Sequence, residues 1–556
     1  MADLDRGLFL GIDFGTTNCV VSIFDFKAGE AQTIPIDGGN VFPTAVQFEA
    51  DPTNEQRLLR VFGGQAKESA LILPQSTVLG VKRMLGNDEK VKITVDDKEL
   101  AFAPERVAGE IIGYLKQKAD EYVCDELGID GKFSGCVVTV PANSTDKQKQ
   151  RTKQAAMFAG FDEENVFIRL EPAAAAISYA VNEVANKKVL VYDFGGGTFD
   201  ACILEIVSGV NDDPIISILS TYGDNSLGGN DVDKVVVDII YEEFKRLTNG
   251  EIDLFDLDAE DGMPQRQKLV SLMRLNQMAI RAKERLSVAR SAKIGLAPFI
   301  QEPQIVNINM EISLEKFLNH KRVNRLGDSD EVFAKFEGRS VADIIGMTVD
   351  CVDKCLEAAR CEPEDITEVF LVGGSSAITL VGAMVEAKFK KLPFKSKISP
   401  ALSISHGAAY YCGMIMMPTV SGPTVQERTV HPLGLEIAGR RFMQIVAQGV
   451  DIPHGGLAVE AAETLTTNVD SLTSMAIVVY ENTEPSTNGE ADMEYVHQTG
   501  MKRLAGTQLR GIPQAPRGQE QVKVVFSIGQ DNMLRVMAQS TSVEGVCTEL
   551  RVDDLY

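Results

Sequence analysis

Apolar residues run through this chain in two rhythms, and the change between them divides it. Residues 8–13, Leu-Phe-Leu-Gly-Ile-Asp, read as a buried strand, and 19–26, Cys-Val-Val-Ser-Ile-Phe-Asp-Phe, as a second. Gly15-Thr16-Thr17-Asn18 has the composition of a tight turn, so the two runs are expected to form a hairpin. Helical spacing follows over 104–124. A strand at 135–140 stops at Pro141, and helical segments cover 146–160 and 171–186. A second strand–glycine–strand unit occupies 188–207, with Gly195-Gly196-Gly197 at its turn. Residues 264–290 read as a long charged helix, and the strand 369–372 runs into Gly373-Gly374-Ser375-Ser376.

After about residue 415 the rhythm shortens. Pro418, Gly422 and Pro423 interrupt a polar stretch at 418–430 that has the character of a linker. Beyond it come short runs rich in β-branched residues, clearest at 474–480 and 521–527, with a polar loop at 481–495. That spacing predicts a β-sandwich.

Composition narrows the picture. A chain of 556 residues is too long for one cooperative core. It carries 79 Asp and Glu against 55 Lys and Arg, a net charge of −24, which disfavours nucleic acid and anionic membrane as partners. Nine scattered cysteines, without a CxxC pair, are a reduced intracellular pattern. Cys351, Cys355 and Cys361 lie near helical spacing but have no histidine close by, so buried apolar thiols are the better reading than a metal site. No apolar run reaches the roughly 20 residues needed to span a bilayer, and the acidic start does not resemble a signal peptide. These features together predict a cytoplasmic protein.

The two glycine turns carry the chemistry. Asp13-Phe14-Gly15-Thr16-Thr17 and Asp193-Phe194-Gly195-Gly196-Gly197-Thr198 each put an Asp at a strand end before a turn of small residues, which suggests an internal duplication. Such turns leave backbone N–H groups free to line a phosphate site. Asp13 and Asp193, being anionic, are suited to hold the water shell of a phosphate-bound Mg²⁺. Two purely structural hairpins are the bland alternative, and Gly373-Gly374 as a third glycine turn argues against it.

At this point the chain resembles the seventy-kilodalton heat-shock chaperones (DnaK type). The resemblance rests on Gly11–Asn18, Val138–Ala142, Glu171–Ile177, Asp193–Asp200, Leu227–Gly229, Leu371–Ser375 and Gly511–Gly518, in the family's order. It implies an actin-like ATPase fold of two lobes with duplicated ribonuclease-H-like halves over 1–415, a linker over 416–430 and a β-sandwich peptide-binding domain over 431–545. A tail over 546–556 leaves no room for a helical lid. It also implies ATP/ADP and Mg²⁺ as cofactors. Asp13, Glu171, Asp193, Thr198 and Lys67 match catalytic positions, with Lys67 as the lysine reaching the terminal phosphate and Asp13 and Asp193 holding Mg²⁺ through water. Gly15, Thr16, Thr17, Asn18, Gly195, Gly196, Gly197, Asp200, Gly228, Gly229, Lys283, Ser287, Gly373, Gly374 and Ser375 match the nucleotide site. Leu435, Ala438, Met475 and Ile477 match a peptide groove. The implied partners are unfolded or extended polypeptide, a J-domain co-chaperone and a nucleotide-exchange factor.

The chain departs from the family on the adenosine side. Ile280 stands where a glutamate is usual, Ala377 replaces an arginine and Ala401 an acidic residue, while Lys283 and Ser287 are kept. Weaker nucleotide binding with relaxed base preference is the expectation. Gln426–Val430 lacks the family's acidic–leucine linker motif, and Lys149 replaces an arginine, so coupling between the domains is in question. The expected activity is slow ATP hydrolysis by a lidless chaperone. The alternative is a non-hydrolysing ATP-binding partner acting with a J-domain protein or the ribosome.

Overall fold

The computed structural model describes residues 8–551, apart from 71, 130, 143, 181–185, 209–213, 325–329, 395–397, 417–423, 430, 453–455, 483–494, 499, 530, 532 and 544. The first hairpin forms as its turn demands. Strands β1 (Leu8–Phe14) and β2 (Asn18–Asp25) pair antiparallel, with Phe14 opposite Cys19. They continue into β3 (Glu30–Thr33), while β4 (Phe133–Val140) and β5 (Val166–Leu170) add parallel on the other side, giving the order β5-β4-β1-β2-β3. A sheet with parallel strands must be covered on both faces. Helices α1 (Gly63–Ser69), α2 (Pro104–Asp125), α3 (Asp146–Phe158) and α4 (Glu171–Ala180) belong to this lobe. Ala173 to Ala176 of α4 are fully buried, and their small side chains allow close packing against the helix Ser403–Met416.

The second lobe repeats the plan. Strands β6 (Lys187–Phe194) and β7 (Phe199–Ser208) form a hairpin with Asp193 opposite Asp200, β8 (Pro214–Asp224) extends it, and β9 (Glu368–Val372) pairs parallel with β6. In both lobes a hairpin is flanked by one antiparallel and one parallel strand, so the duplication seen in the glycine turns is also a duplication of topology. Helices α5 (Gly229–Leu247), α6 (Gln265–Leu286) and Val341–Ala359 pack here. Cys351, Cys355 and Cys361 are all buried in this core, as apolar thiols should be.

Part of the expected linker is itself a strand. β10 (Thr424–Arg428) joins the second lobe's sheet parallel to β8, with Ile215 opposite Thr424, and pairs on its far side with Asp451–Ile452. This pairing uses backbone groups, and Ser217 Oγ adds a 3.0 Å bond to the Gln426 carbonyl oxygen of the side chain. It therefore does not need the leucine-rich sequence that is missing.

Two antiparallel sheets follow. β11 (Leu433–Ile437), β12 (Arg441–Val446), β14 (Ser474–Asn482) and β15 (Met501–Arg510) form one, in the order β12-β11-β14-β15. β13 (Leu457–Glu460), β16 (Gln521–Ile528), β17 (Leu534–Ser540) and β18 (Cys547–Arg551) form the other. Leu435, Ile477, Val479 and Leu509 meet Val524, Phe526 and Val536 between them. The sandwich also touches the first lobe: Met533, in the turn between β16 and β17, is buried among that lobe's core residues.

Candidate functional site

Asp13 is the penultimate residue of β1 and Asp193 the penultimate residue of β6, so the duplicated hairpins deliver two carboxylates to the same end of their sheets. Glu171, the first residue of α4, brings a third. The cation that meets them is Lys82, in the short turn Val81–Met84, which forms a buried ion pair with Glu171. Three carboxylates around one ammonium leave excess negative charge in a nearly dry site. Burial first, and then Glu171, push the Asp13 carboxyl up to about 7, with Lys82 opposing. Asp193 is pushed well above the carboxylate range by burial, then by Glu171, Asp200 and Asp13. Burial works against the Lys82 ammonium, yet Glu171 and Asp13 hold its pKa above the ordinary lysine value.

That electrostatic imbalance fits a bound cation. Among the described residues no group of three or more His, Cys, Asp and Glu is close enough to ligate a metal directly, so an ion here would be held through water.

The glycine loops close over these groups. In the first, the Thr44 hydroxyl donates to the Gly15 carbonyl at 2.8 Å, and the Thr44 N–H donates to the Thr17 carbonyl at 2.9 Å. In the second, Gly195 N–H bonds back to the Thr198 carbonyl at 3.1 Å. Gly229 and Asn230 N–H groups at the start of α5 donate to the Gly195 and Gly196 carbonyls. The loops face each other so closely that a Cβ on Gly196 would collide with the Thr17 hydroxyl. Arg83, next to Lys82, donates to the Gly197 carbonyl at 2.6 Å and thereby ties the first lobe to the second loop. Gly373 has φ +79°, and a Cβ there would stand 2.5 Å from Asp193 Oδ1. Only glycine fits that backbone and that approach.

The sequence as a whole confirms the assignment that these loops suggest, for a family model of Hsp70 proteins matches residues 9–554. The chain belongs to the Hsp70 family. The two lobes are thus an actin-like ATPase fold followed by a β-sandwich, in a family of ATP-binding chaperones.

Elsewhere in the cleft of this Hsp70 chain, Lys283 of α6 donates to Asp233 Oδ2 at 2.8 Å and to the Gly229 carbonyl at 3.1 Å. Ser375 packs on Gly229 beside it. The Ser287 hydroxyl bonds the Lys283 carbonyl at 3.0 Å, within its own helix. Gly228 lies against the second loop, and Gly374 is exposed. Thr16 is buried and Thr17 and Thr198 half-buried at the loops, Asn18 is exposed, and Asp200 is buried opposite Asp193 on the neighbouring strand. Ile280 and Ala401 are half-buried and Ala377 exposed, so these positions offer apolar side chains where Hsp70 resemblance leads one to expect charge.

One expectation is supplemented and another needs correction. Lys67 is half-buried on α1, and a second lysine, Lys82, is the cation acting on Asp13 and Asp193. The sequence did hold a signal: Lys82-Arg83 sits between Val81 and Met84-Leu85, and a lysine inside an apolar run needs a buried partner. In the sandwich, Leu435 and Ile477 are each 1% exposed and packed into the core between the sheets, so they present no groove. Met475 is half-buried at the edge of that core, and Ala438 is exposed in the turn after β11. Among the described residues no helix is long and apolar enough to cross a membrane.

Proposed function

We propose that this chain binds Mg-ATP between the two glycine loops and hydrolyses it slowly, with Lys82 as the lysine that meets the terminal phosphate. The observation that carries this reading is the buried Lys82–Glu171 ion pair inside the Asp13–Asp193 cluster. Asp13 and Asp193 would hold the magnesium's water shell, and a bound ion supplies charge neutralisation at the phosphates. Glu171 accepts an O–H hydrogen bond from the attacking water, and Lys82 fixes the Glu171 carboxylate while facing the charge that develops on the transferring phosphoryl group. Thr16, Thr17 and Thr198 hydroxyls and the loop N–H groups hold phosphate oxygens. Arg83 keeps the second loop in register.

The β-sandwich would bind extended polypeptide, with J-domain and nucleotide-exchange partners as the family uses them. A non-hydrolysing ATP-binding partner is the second reading. It draws on Ile280, Ala377 and Ala401, and on Lys283 already being engaged by Asp233. Single-turnover hydrolysis beside an equilibrium ATP titration separates the two. Turnover lost in Lys82→Ala with binding kept supports the ATPase, whereas binding without turnover in the unmodified chain supports the second reading.

A further inference from the structure

Where the sandwich meets the first lobe, a small set of ionisable side chains is buried. Glu481, near the end of β14, is 3% exposed and lies over the N-terminus of α3, where the Asp146 N–H bonds its carboxyl. Its Oε2 has no hydrogen-bond partner, and neither does the buried Nδ1 of His431, in the segment between β10 and β11. Both side chains line a cavity of about 20 Å³, with Asp146, Lys149 and Arg428 also on its wall. That is room for one water molecule.

The groups facing Glu481 are Asp146 and Lys149 from α3, Lys502 from its cross-strand partner β15, Arg428 at the end of β10 and His431 from the segment after it. Lys149 is shared with Asp146 at 3.1 Å, and Arg428 with Asp451 at 2.6 Å. An ionised Glu481 would therefore sit as a second carboxylate beside Asp146, desolvated and with one oxygen unsatisfied. We propose that docking of the sandwich on the first lobe takes up one proton from solvent onto Glu481, whose neutral carboxyl then donates its O–H into the cavity.

The direction of titration agrees. Burial first, then Asp146, push Glu481 up to about 8 against Lys149 and Lys502. A carboxyl raised on docking binds its extra proton between the free value and the docked one, so docking weakens as pH rises through that window and levels off above about 8. This device is independent of whether ATP is hydrolysed.

The test is hydrogen exchange on the full chain with Mg-ATP held constant, reading the protection of the Thr424–Arg428 amides from pH 6.5 to 8.5. Protection should fall by about tenfold per pH unit at most, flattening above about 8. In Glu481→Gln it should stay flat, with amides of β1 and β16 as controls for folding. Lys502→Met, an exposed change, should move the midpoint to higher pH and serves if Glu481→Gln misfolds. A flat wild-type profile, the same slope in Glu481→Gln, or no protection of these amides at any pH would overturn the proposal.

Discussion

Lys153, on helix α3 of the first lobe, donates to the Asp531 carboxylate of the sandwich across 2.9 Å. The pair is asymmetric. Asp531 is also held by Arg535 at 2.6 Å and 3.2 Å, whereas Lys153, 4% exposed, has among the described residues Glu163 at 3.9 Å besides. Removing Asp531 therefore leaves a buried cation with Glu163 at 3.9 Å, near the limit of an ion pair, at a cost on the order of 3 kcal/mol. Removing Lys153 leaves Asp531 paired and should cost about 1 kcal/mol. Protection of the Thr424–Arg428 amides should accordingly drop far more in Asp531→Ala than in Lys153→Ala. Equally large losses would mean that Lys153 is not left uncompensated, and no loss in either variant would mean that the contact does not hold the domains together.

The two candidate lysines make opposite predictions. Lys82→Ala should lower single-turnover hydrolysis by about 10²–10³-fold, the range for removing one preorganised group from a developing charge. Lys67→Ala should leave turnover within about twofold of the unmodified chain if Lys82, the lysine whose charge acts on Asp13, is the one that meets the phosphate. A large loss in Lys67→Ala alone would restore the original assignment.

What was legible in the sequence was local. The β1–β2 and β6–β7 hairpins are written in contiguous runs with glycine turns, so Asp13 and Asp193 were placed at strand ends from pattern alone. Helix α2 needed only its 3.6-residue period and Pro104 at its start. Lys82 was missed because its partner Glu171 lies 89 residues on, so the hint of a buried lysine in the run Val81–Leu85 does not say which carboxylate meets it. The groove residues failed for another reason. Alternation along β11 and β14 names a buried face but not what covers it, and the second sheet covers Leu435 and Ile477. The Glu481–Asp146 contact, far apart in sequence, had no signal of its own.

Gly373 offers a sharp test of the nucleotide site. Its backbone, at φ +79°, costs about 1–3 kcal/mol for any other residue, and the added Cβ would displace the Asp193 carboxylate. Gly373→Ala should lose ATP affinity by at least tenfold in an equilibrium titration, with a lowered melting temperature. Gly374→Ala, where a Cβ meets open space, should change neither.

In the sandwich, core and groove readings differ in observable. Leu435→Ala and Ile477→Ala should each lower the stability of that unit by about 2–5 kcal/mol through lost burial and cavity formation, visible as an earlier urea midpoint. Ala438→Ser, on an exposed turn, should leave the midpoint unchanged. Unchanged stability with weakened peptide binding in Leu435→Ala would return that residue to the groove.

His431 sets the acid side of docking. Burial, then the nearby Lys149, push its imidazole down to about 4, so the docked state excludes a proton that the free histidine binds near 6.5. A base lowered on docking contributes stability that is complete above the free value and declines as pH falls toward the docked one. Over that window Glu481 acts the opposite way, because its docked carboxyl stays protonated while the free carboxyl remains ionised down to about 4.5. The two slopes cancel, and docking in the unmodified chain should be level from about pH 5 to 6.5. His431→Asn keeps a polar, uncharged side chain and removes only the second slope. Protection of the Thr424–Arg428 amides should then keep rising as pH falls from 6.5 to 5, by about tenfold per unit at most. Protection that already rises in the unmodified chain over this range, just as in His431→Asn, would show that His431 is neutral in both states and plays no part in the linkage, whereas a level profile in His431→Asn would remove the Glu481 slope.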